Sequence, residues 1–155
     1  MRPNQPFPRR AYRTADTVVQ VEQNAGVGGG RRVLVVDDTA SIRFLIRMNL
    51  ELAGFEVSEA VDGLDALEVL RVSETLPDAV TIDVMMPRMD GLSATQAIRA
   101  DPALRDLVVV MVTTQGHPAS VQRGWDVGVD AYVVKPFDLD HLVATVADLI
   151  EQGRR

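Results

Sequence analysis

The chain has 155 residues, a length that suits one domain of ordinary size and is short for two. A formal net charge of -6 argues against binding the phosphate backbone of nucleic acids, because that binding needs clustered lysine and arginine. The absence of cysteine excludes disulfides, thiolate catalysis and cysteine-ligated zinc. No apolar run is long enough to cross a bilayer, and the residues after Arg9-Arg10 are too polar for an export signal. We therefore expect a cytoplasmic protein.

Residues 1–31 differ in composition from the rest of the chain. The segment "MRPNQPFPRR" carries several prolines, and "GVGGG" has the composition of a flexible linker. We predict a flexible N-terminal extension over residues 1–31, because chain termini are commonly disordered unless they are tied down. A second possibility is an arm that docks on a partner, since the alternation from Thr17 to Glu22 is typical of a short strand.

From Arg32 onward, five strand-like segments alternate with five helical patterns. The first strand is the β-branched run Val33–Val36, and Thr39 or Ser41 is expected to cap the helix that follows it. The alternating pattern of the second strand is typical of a sheet edge. The four later strands are predicted, in chain order, in "FEVSEA", "AVTIDV", "LVVVMVT" and "AYVV". The later helices are predicted near Leu64–Val72, Leu92–Ala100, Ala119–Val127 and from about Leu139 onward.

This alternation with short connections predicts an α/β fold, a doubly wound parallel sheet of five strands covered by helices on both faces. We predict one folded domain over residues 32–152, followed by a short tail over residues 153–155. Ligands of such open sheets bind outside the carboxyl ends of the strands. The residues that follow each predicted strand are therefore the first candidates for a functional site.

Charged and polar side chains follow four of the predicted strands. They are Asp37 and Asp38 after the first strand, Asp83 after the third, Thr113 and Thr114 after the fourth and Lys135 after the fifth. Two carboxylates about 4 Å apart repel by roughly 4 kcal/mol at an effective dielectric constant near 20. A hard divalent cation relieves that repulsion, and Mg²⁺ typically takes a few carboxylate or carbonyl oxygens and keeps waters. The pattern thus indicates a magnesium site.

Lys135 and Thr113 indicate a second ligand at the same edge. An ammonium group and a hydroxyl do not help to hold a cation, but both suit the oxygens of a phosphoryl group. One of the carboxylates could then be the nucleophile that forms an aspartyl phosphate. The alternative is a solvated cluster of ion pairs at the starts of loops, which accounts for each residue singly but poorly for the whole set.

Four segments, in this order, resemble the receiver domain of bacterial two-component response regulators. They are "VLVVDD", "VTIDVMMPRMDGL", "MVTTQG" and "AYVVKPF". The resemblance covers residues 32–152 and implies the flavodoxin-like (βα)5 arrangement with sheet order 2-1-3-4-5. It also implies that Asp83 accepts a phosphoryl group from a sensor histidine kinase or a histidine phosphotransfer protein, with Mg²⁺ as cofactor. The chain would then be a phosphoacceptor signalling protein and not an enzyme that acts on other substrates.

The resemblance implies a role for each carboxylate. Asp38 and Asp83 would ligate Mg²⁺ directly, together with the backbone carbonyl of Met85, while Asp37 would act mainly through water.

The same resemblance implies roles for the residues that face the phosphoryl group. Lys135 would pair with the phosphoryl oxygens, and Thr113 would move toward the group. Tyr132 would swing inward behind Thr113 as an aromatic switch. The Lys135–Pro136 peptide bond would be cis.

Only Gly153-Arg154-Arg155 follow the last predicted helix, so we expect a single-domain regulator similar to those of chemotaxis. Its output would be contact with a downstream protein through the face formed by the fourth helix, the fifth strand and the fifth helix. We expect no direct contact with nucleic acid and no membrane insertion. A phosphorelay intermediate that passes the group to a histidine phosphotransfer protein is equally compatible with the sequence.

The sequence departs from the family pattern beside the site. Thr114 stands where the family usually has a small residue, and Met85 and Gln115 lack a carboxylate that could orient hydrolytic water. These departures predict a phosphoryl group that persists longer than in fast chemotaxis-type receivers. Away from the site, we expect Trp125 to pack against the sheet and His117 and His141 to be surface residues.

Three other classes of protein are weighed against this interpretation. A haloacid dehalogenase phosphatase needs a second aspartate two residues after its nucleophile, but Thr39 and Met85 occupy those positions. A flavodoxin-like FMN binder needs backbone donors after its first strand, where Asp37 and Asp38 would repel the phosphate. The third class is a receiver-like scaffold that is never phosphorylated, and the complete acidic, lysine and threonine set argues against it.

Overall fold

A computed structural model of the chain describes residues 12–14, 17–19, 26–113, 118–135 and 138–153. The strands are β1 (Tyr12–Thr14), β2 (Thr17–Val19), β3 (Arg32–Val36), β4 (Glu56–Ala60), β5 (Ala79–Ile82), β6 (Val108–Thr113) and β7 (Ala131–Val134). The helices are α1 (Ala40–Leu52), α2 (Gly63–Val72), α3 (Gly91–Ala100), α4 (Pro118–Val127) and α5 (Leu139–Gln152). Each strand and helix predicted from residue 32 onward is present at or within a residue or two of its expected position.

Strands β3 to β7 form one parallel sheet in the order β4-β3-β5-β6-β7. Numbered within this sheet, the order is 2-1-3-4-5, so the predicted topology is confirmed. β4 lies at the edge, as its alternating sequence predicted. The register pairs Val36 with Ile82, the last residues of β3 and β5. The residues that follow these two strands therefore lie side by side.

Apolar side chains of the sheet fill two separate cores. On β3, Leu34 and Val36 belong to the core that α2 and α3 cover, whereas Val33 and Val35 belong to the core under α1 and α5. All of β6 is likewise buried. Burial on both faces explains why these two strands are continuous apolar runs instead of alternating ones.

Residues 26–31 form a turn that packs against the end of α1. The backbone N–H of Gly28 donates to the carbonyl of Ala53 at 2.8 Å, and the Arg31 side chain donates back to the Gly28 carbonyl at 3.0 Å. A Cβ at Gly28 would lie 2.4 Å from the backbone nitrogen of Phe55, so only glycine fits there. Within "GVGGG", Gly28 thus makes close backbone contact with the end of α1, which a composition typical of linkers did not indicate.

The described part of the N-terminal segment also contains a short antiparallel ribbon. Strands β1 and β2 pair in a register that joins Thr14 to Thr17. This pairing is local, and the flexibility of the extension as a whole stays a prediction. Within the described ranges, no helix is both long and apolar enough to cross a membrane.

Candidate functional site

Three carboxylates meet at the carboxyl end of the sheet. Asp37 and Asp38 directly follow β3, and Asp83 directly follows its neighbour β5. One carboxylate oxygen from each lies within 4.8 Å of the others. Asp37 and Asp83 are buried and Asp38 is exposed, so the cluster is open to solvent on one side. Oxygen donors at this spacing, with one side open for water, fit a hard divalent cation such as Mg²⁺.

Lys135 places one positive charge against this cluster. Its Nζ lies 3.2 Å from Oδ2 of Asp37 and 3.6 Å from Oδ2 of Asp83. The lysine side chain is only 13% exposed, which limits the screening of these contacts by water. One ammonium group cannot balance three carboxylates, so an excess of negative charge remains at the site.

The environment of Asp83 disfavours its charged form. Burial raises the pKa of the Asp83 carboxyl above its ordinary value, and the nearby charge of Asp37 raises it further. The charge of Lys135 and hydrogen bonds from the backbone N–H groups of Val84 and Met85 lower the pKa, without cancelling the effect of burial. The charged form of such a carboxylate is stabilised when a cation or another electrophilic group binds to it.

Hydrogen bonds with residues at the start of helix α1 hold Asp37 in place. Its Oδ1 accepts from the backbone N–H of Thr39 at 2.9 Å, and its carbonyl accepts from Nη1 of Arg43 at 2.8 Å. Thr39, one of the two predicted positions, is the N-cap residue, but its side chain makes no capping hydrogen bond. The Nε of Arg43 also donates to Glu59 at 2.8 Å. Sequence analysis missed Arg43, because a single arginine within a helix gives no signal of its own.

Thr113 ends β6, as the position of this strand predicted, and Tyr132, which the resemblance implied, lies within β7. Thr113 is fully buried at the end of β6, and its carbonyl accepts from the backbone N–H of Lys135 at 2.7 Å. Tyr132, on the adjacent β7, is half-buried, and burial raises the pKa of its hydroxyl. The Arg123 charge lowers that pKa, and the Asp83 charge raises it.

Helix α4 leaves room for the tyrosine ring at Gly124. A Cβ at this position would lie 2.4 Å from Cε2 of Tyr132, so the ring occupies space that any other residue would fill. The next residue, Trp125, is turned away by about 100° because of the helical period. It is 47% exposed and contacts Tyr132 with ring centroids 6.2 Å apart. Trp125 therefore packs against the sheet only in part, through Tyr132 of β7, and nearly half of the residue stays exposed.

The remaining candidates divide into described and undescribed positions. Met85 follows Asp83 by two residues and is 61% exposed. His141 is exposed, as expected of a surface residue. The predictions that concern Thr114, Gln115, His117 and Pro136 lie outside the described residues.

The loop after Asp83 returns closely to it at Gly91. A Cβ at Gly91 would lie 2.2 Å from the Asp83 carbonyl oxygen, and the Gly91 N–H donates to the Val84 carbonyl at 2.9 Å. Within this loop, Arg88 forms an ion pair with Asp62, a second contact that sequence analysis missed. Asp62 and Asp90, the aspartates of two "DG" pairs, are both N-caps that accept from backbone N–H groups, but this pattern does not indicate the ion pair with Arg88.

The family model of the response regulator receiver domain matches residues 33–147. The chain belongs to this family. It is therefore a receiver domain of the bacterial two-component systems, in which receiver domains are phosphoacceptor signalling domains. The acidic cluster lies within the matched residues.

Two curated relatives illustrate how the chain compares in sequence. It is 37% identical over 124 residues to the DNA-binding dual master transcriptional regulator RpaA of Synechocystis, with 80% of this chain and 51% of RpaA covered. It is also 37% identical over 123 residues to the response regulator MprA of Mycobacterium leprae, with 79% of this chain and 52% of MprA covered. The chain thus spans about half the length of these relatives.

Solved structures of response regulators are similar to this chain in fold. The chemotaxis response regulator CheY4 of Vibrio cholerae matches with a TM-score of 0.71 at 34% identity, over 77% of this chain and 98% of CheY4. The receiver domain of the Francisella response regulator 1452 matches with a TM-score of 0.73 at 29% identity, over 79% of this chain and 98% of that domain.

Proposed function

We propose that Asp83 accepts a phosphoryl group from a phosphohistidine, with Mg²⁺ held at the same site. The observation that carries this proposal is the cluster of Asp37, Asp38 and Asp83 within 4.8 Å, with Lys135 directed into it. A structural ion-pair cluster would balance its charges, whereas this one keeps an excess of negative charge beside a raised Asp83 pKa.

The proposal gives each carboxylate the role that the receiver-domain resemblance implies. Asp38, which is exposed, and Asp83 would ligate the metal directly, together with the backbone carbonyl of Met85. Asp37 would act through water, because its carboxylate already binds the Thr39 N–H and Lys135. When bound, Mg²⁺ neutralises the carboxylates and polarises the phosphoryl oxygens.

The proposed transfer forms one bond and breaks one. A carboxylate oxygen of Asp83 attacks the phosphorus atom, and the bond from phosphorus to the donor imidazole nitrogen breaks. The leaving imidazole keeps the electron pair and takes up a proton, and Asp83 becomes an acyl phosphate. Lys135, which now donates to Asp37, would donate to the phosphoryl oxygens instead, as a mobile ammonium group can.

The signal would leave the domain through a neighbouring face. Thr113 would move toward the phosphoryl group and Tyr132 would follow it inward, which shifts the balance between two arrangements of this region. The proposed output face consists of α4, β7 and α5 and includes the exposed side chains of Trp125 and Val134. We propose that it binds a downstream protein in the cytoplasm, and that a sensor histidine kinase or a histidine phosphotransfer protein loads the site.

Phosphorylation by a small donor tests the proposal. The protein is incubated with acetyl phosphate and Mg²⁺, and its intact mass is measured. One added phosphoryl group is expected for the wild type and for the control Asp106→Asn, an exposed aspartate outside the cluster. None is expected for Asp83→Asn or in the presence of a chelator. Modification that persists in Asp83→Asn would show that another residue is the acceptor.

The lifetime of the phosphoryl group is a separate prediction. Met85 has no carboxylate to orient an attacking water, so we expect the modification to decay slowly once the donor is removed. The measurement is the loss of the added mass with time in Mg²⁺. A lifetime of seconds would contradict this expectation without affecting the assignment of Asp83.

A further inference from the structure

Arg88 and Asp62 form a two-pronged ion pair between two loops. Nε of Arg88 donates to Oδ2 of Asp62 at 2.6 Å, and Nη2 donates to Oδ1 at 3.0 Å. The side chain of Asp62 is only 5% exposed, so the pair is anchored on a buried carboxylate. Paired parallel hydrogen bonds of this kind fix direction as well as distance.

Asp62 is itself held rigidly. Its Oδ1 also accepts from the backbone N–H of Asp65 at 2.8 Å, as the N-cap of α2. The Arg88 guanidinium beside it, followed by this backbone hydrogen bond, lowers the pKa of the Asp62 carboxyl against the effect of burial. The partner that Arg88 binds is therefore an ionised group fixed to the start of a helix.

The backbones of the two loops also touch. The N–H of Gly63 donates to the carbonyl of Met89 at 3.0 Å, and a Cβ at Gly63 would lie 2.7 Å from that carbonyl oxygen. The segment from residue 84 to residue 90 is thus joined to the start of α2 by one main-chain contact and one ion pair, on adjacent residues.

Arg88 occupies a conformation that its residue type disfavours. Its φ is 65°, and among the residues that the structure describes it is the only non-glycine residue with positive φ. Glycine would adopt this conformation with less strain. A side chain that is kept at such a position despite the strain points to a use for its contacts.

The segment that Arg88 anchors reaches the phosphoacceptor directly. Its first residues, Val84 and Met85, directly follow Asp83, and their backbone N–H groups lower the pKa of the Asp83 carboxyl. At its other end, a Cβ at Gly91 would lie 2.2 Å from the Asp83 carbonyl oxygen. The carbonyl of Val84 accepts from Gly91 at the far end of the same loop. A displacement of the loop would therefore move the donors that orient Asp83.

We propose that Arg88 is a positioning residue that acts through Asp62 to hold the loop after Asp83 in the shape that binds the metal. It orients the Asp83 carboxylate and the Met85 carbonyl without touching either ligand or metal. This inference rests on the proposed magnesium site and adds the ion pair that holds its geometry before the metal binds.

Three variants separate positioning from simple stability. Arg88→Gln removes the ion pair, and Asp62→Asn removes it while keeping a side-chain oxygen that can cap α2. Arg88→Gly removes the side chain and also relieves the backbone strain, so it is expected to fold at least as readily as Arg88→Gln. The matched control is Arg71→Gln, an exposed arginine in the last turn of α2.

Two measurements are made on each purified protein. The first is the dissociation constant for Mg²⁺ by calorimetry, expected to rise about tenfold in all three variants, at the low end of the effect of outer-shell partners of metal ligands. The second is hydrogen–deuterium exchange of residues 84–90 in the metal-free protein, expected to quicken in all three variants. Both are expected to stay unchanged in Arg71→Gln. The double variant Arg88→Gln/Asp62→Asn should bind Mg²⁺ no more weakly than either single variant, because both remove the same interaction.

The outcomes distinguish this inference from the proposed function. A wild-type protein that binds no Mg²⁺ would overturn both. A wild-type protein that binds Mg²⁺, with variants that bind it equally well, would overturn the positioning role alone. Faster exchange without weaker Mg²⁺ binding would also overturn it, because the ion pair would then stabilise the loop without serving the site.

Discussion

Two clusters of charged side chains lie at opposite ends of the sheet, and they are built differently. At the amino ends of the strands, Arg99 pairs with Asp130 at 3.0 Å and donates to the carbonyls of Gly128 and Leu107. The same Asp130 oxygen accepts from the backbone N–H of Val109 at 2.8 Å. Among the described residues, this ion pair joins one cation to one anion, both side chains are largely buried, and each also contacts backbone groups.

At the carboxyl ends, the charges do not balance. Among the described residues, Lys135 is the cation that forms ion pairs with the carboxylates of Asp37 and Asp83, and burial leaves Asp83 with a raised pKa. The comparison shows that a buried charge alone does not indicate function. A balanced pair that binds backbone groups stabilises the fold, whereas an excess of one sign indicates a binding site.

The largest effect is expected at the balanced end. Arg99→Met should lower the free energy of unfolding by about 3 kcal/mol, because it leaves Asp130 buried without its cation. Urea denaturation measures the change, and the exposed Arg71→Met is the control, expected to change stability by less than about 0.5 kcal/mol. If Arg99→Met left the free energy of unfolding almost unchanged, the balanced pair would not stabilise the fold, and the two clusters would not differ as stated.

An effect of opposite sign is expected at the unbalanced end. Asp83→Asn should raise the free energy of unfolding of the metal-free protein by about 1 kcal/mol, a fraction of the repulsion between two close carboxylates. The control is Asp106→Asn, which lies in solvent. Denaturation in the presence of a chelator measures both variants. Destabilisation by Asp83→Asn would show that its charge is satisfied and that the site stores no repulsion.

Two buried, uncharged side chains between the two ends test the same argument, that a buried polar group stabilises the fold only when it has a partner. Thr81 on β5 is buried, and its hydroxyl has no hydrogen-bond partner among the described residues. Thr81→Val should therefore raise the free energy of unfolding by about 1 kcal/mol. Thr95 on α3 is equally buried but donates to the Gly91 carbonyl at 2.8 Å. Thr95→Val should lower stability by about 1 kcal/mol, so equal signs for the two variants would contradict this account.

The smallest expected effect is the pH dependence of the stability that the Arg88–Asp62 ion pair contributes. The pKa of Asp62 is lowered in the folded protein, chiefly by Arg88, so the ion pair stabilises the fold above the unfolded-state pKa of about 3.9. That stability is lost as the pH falls through the lower pKa of the folded state. The difference in unfolding free energy between wild type and Arg88→Gln should be constant near neutral pH and shrink below about pH 4. A difference that grows on acidification would reverse the assigned direction.

The sequence predicted the fold and the chemistry at the strand ends, because both depend on local patterns. The alternation of strand and helix patterns predicted a parallel sheet, and the residues after each strand predicted that Asp37, Asp38, Asp83 and Lys135 lie at one edge of it. The order of the strands was implied by the receiver-domain resemblance. The receiver-domain resemblance supplied the roles that residue chemistry alone left open, among them that of Tyr132.

The contacts that sequence analysis missed are of a different kind. The Arg88–Asp62 pair joins loops 26 residues apart, and the Arg43 contact with Glu59 joins a helix to an edge strand. Neither pair has a spacing that marks it in the sequence. Trp125 is more exposed than the sequence predicted, because an aromatic residue in an amphipathic helix normally faces the core. In this helix Gly124 faces the core instead, and its lack of a side chain leaves room for the ring of Tyr132.

The central claim is that the excess negative charge at the carboxyl end is a metal site, and thermal unfolding tests it most directly. The melting temperature of the wild type is measured in saturating magnesium chloride and in sodium chloride of equal ionic strength. A ligand present at about 100 times its dissociation constant stabilises the folded state by about 2.7 kcal/mol, so we expect a clear rise in melting temperature with magnesium that Asp83→Asn lacks. Equal melting temperatures of the wild type in the two salts would contradict the claim.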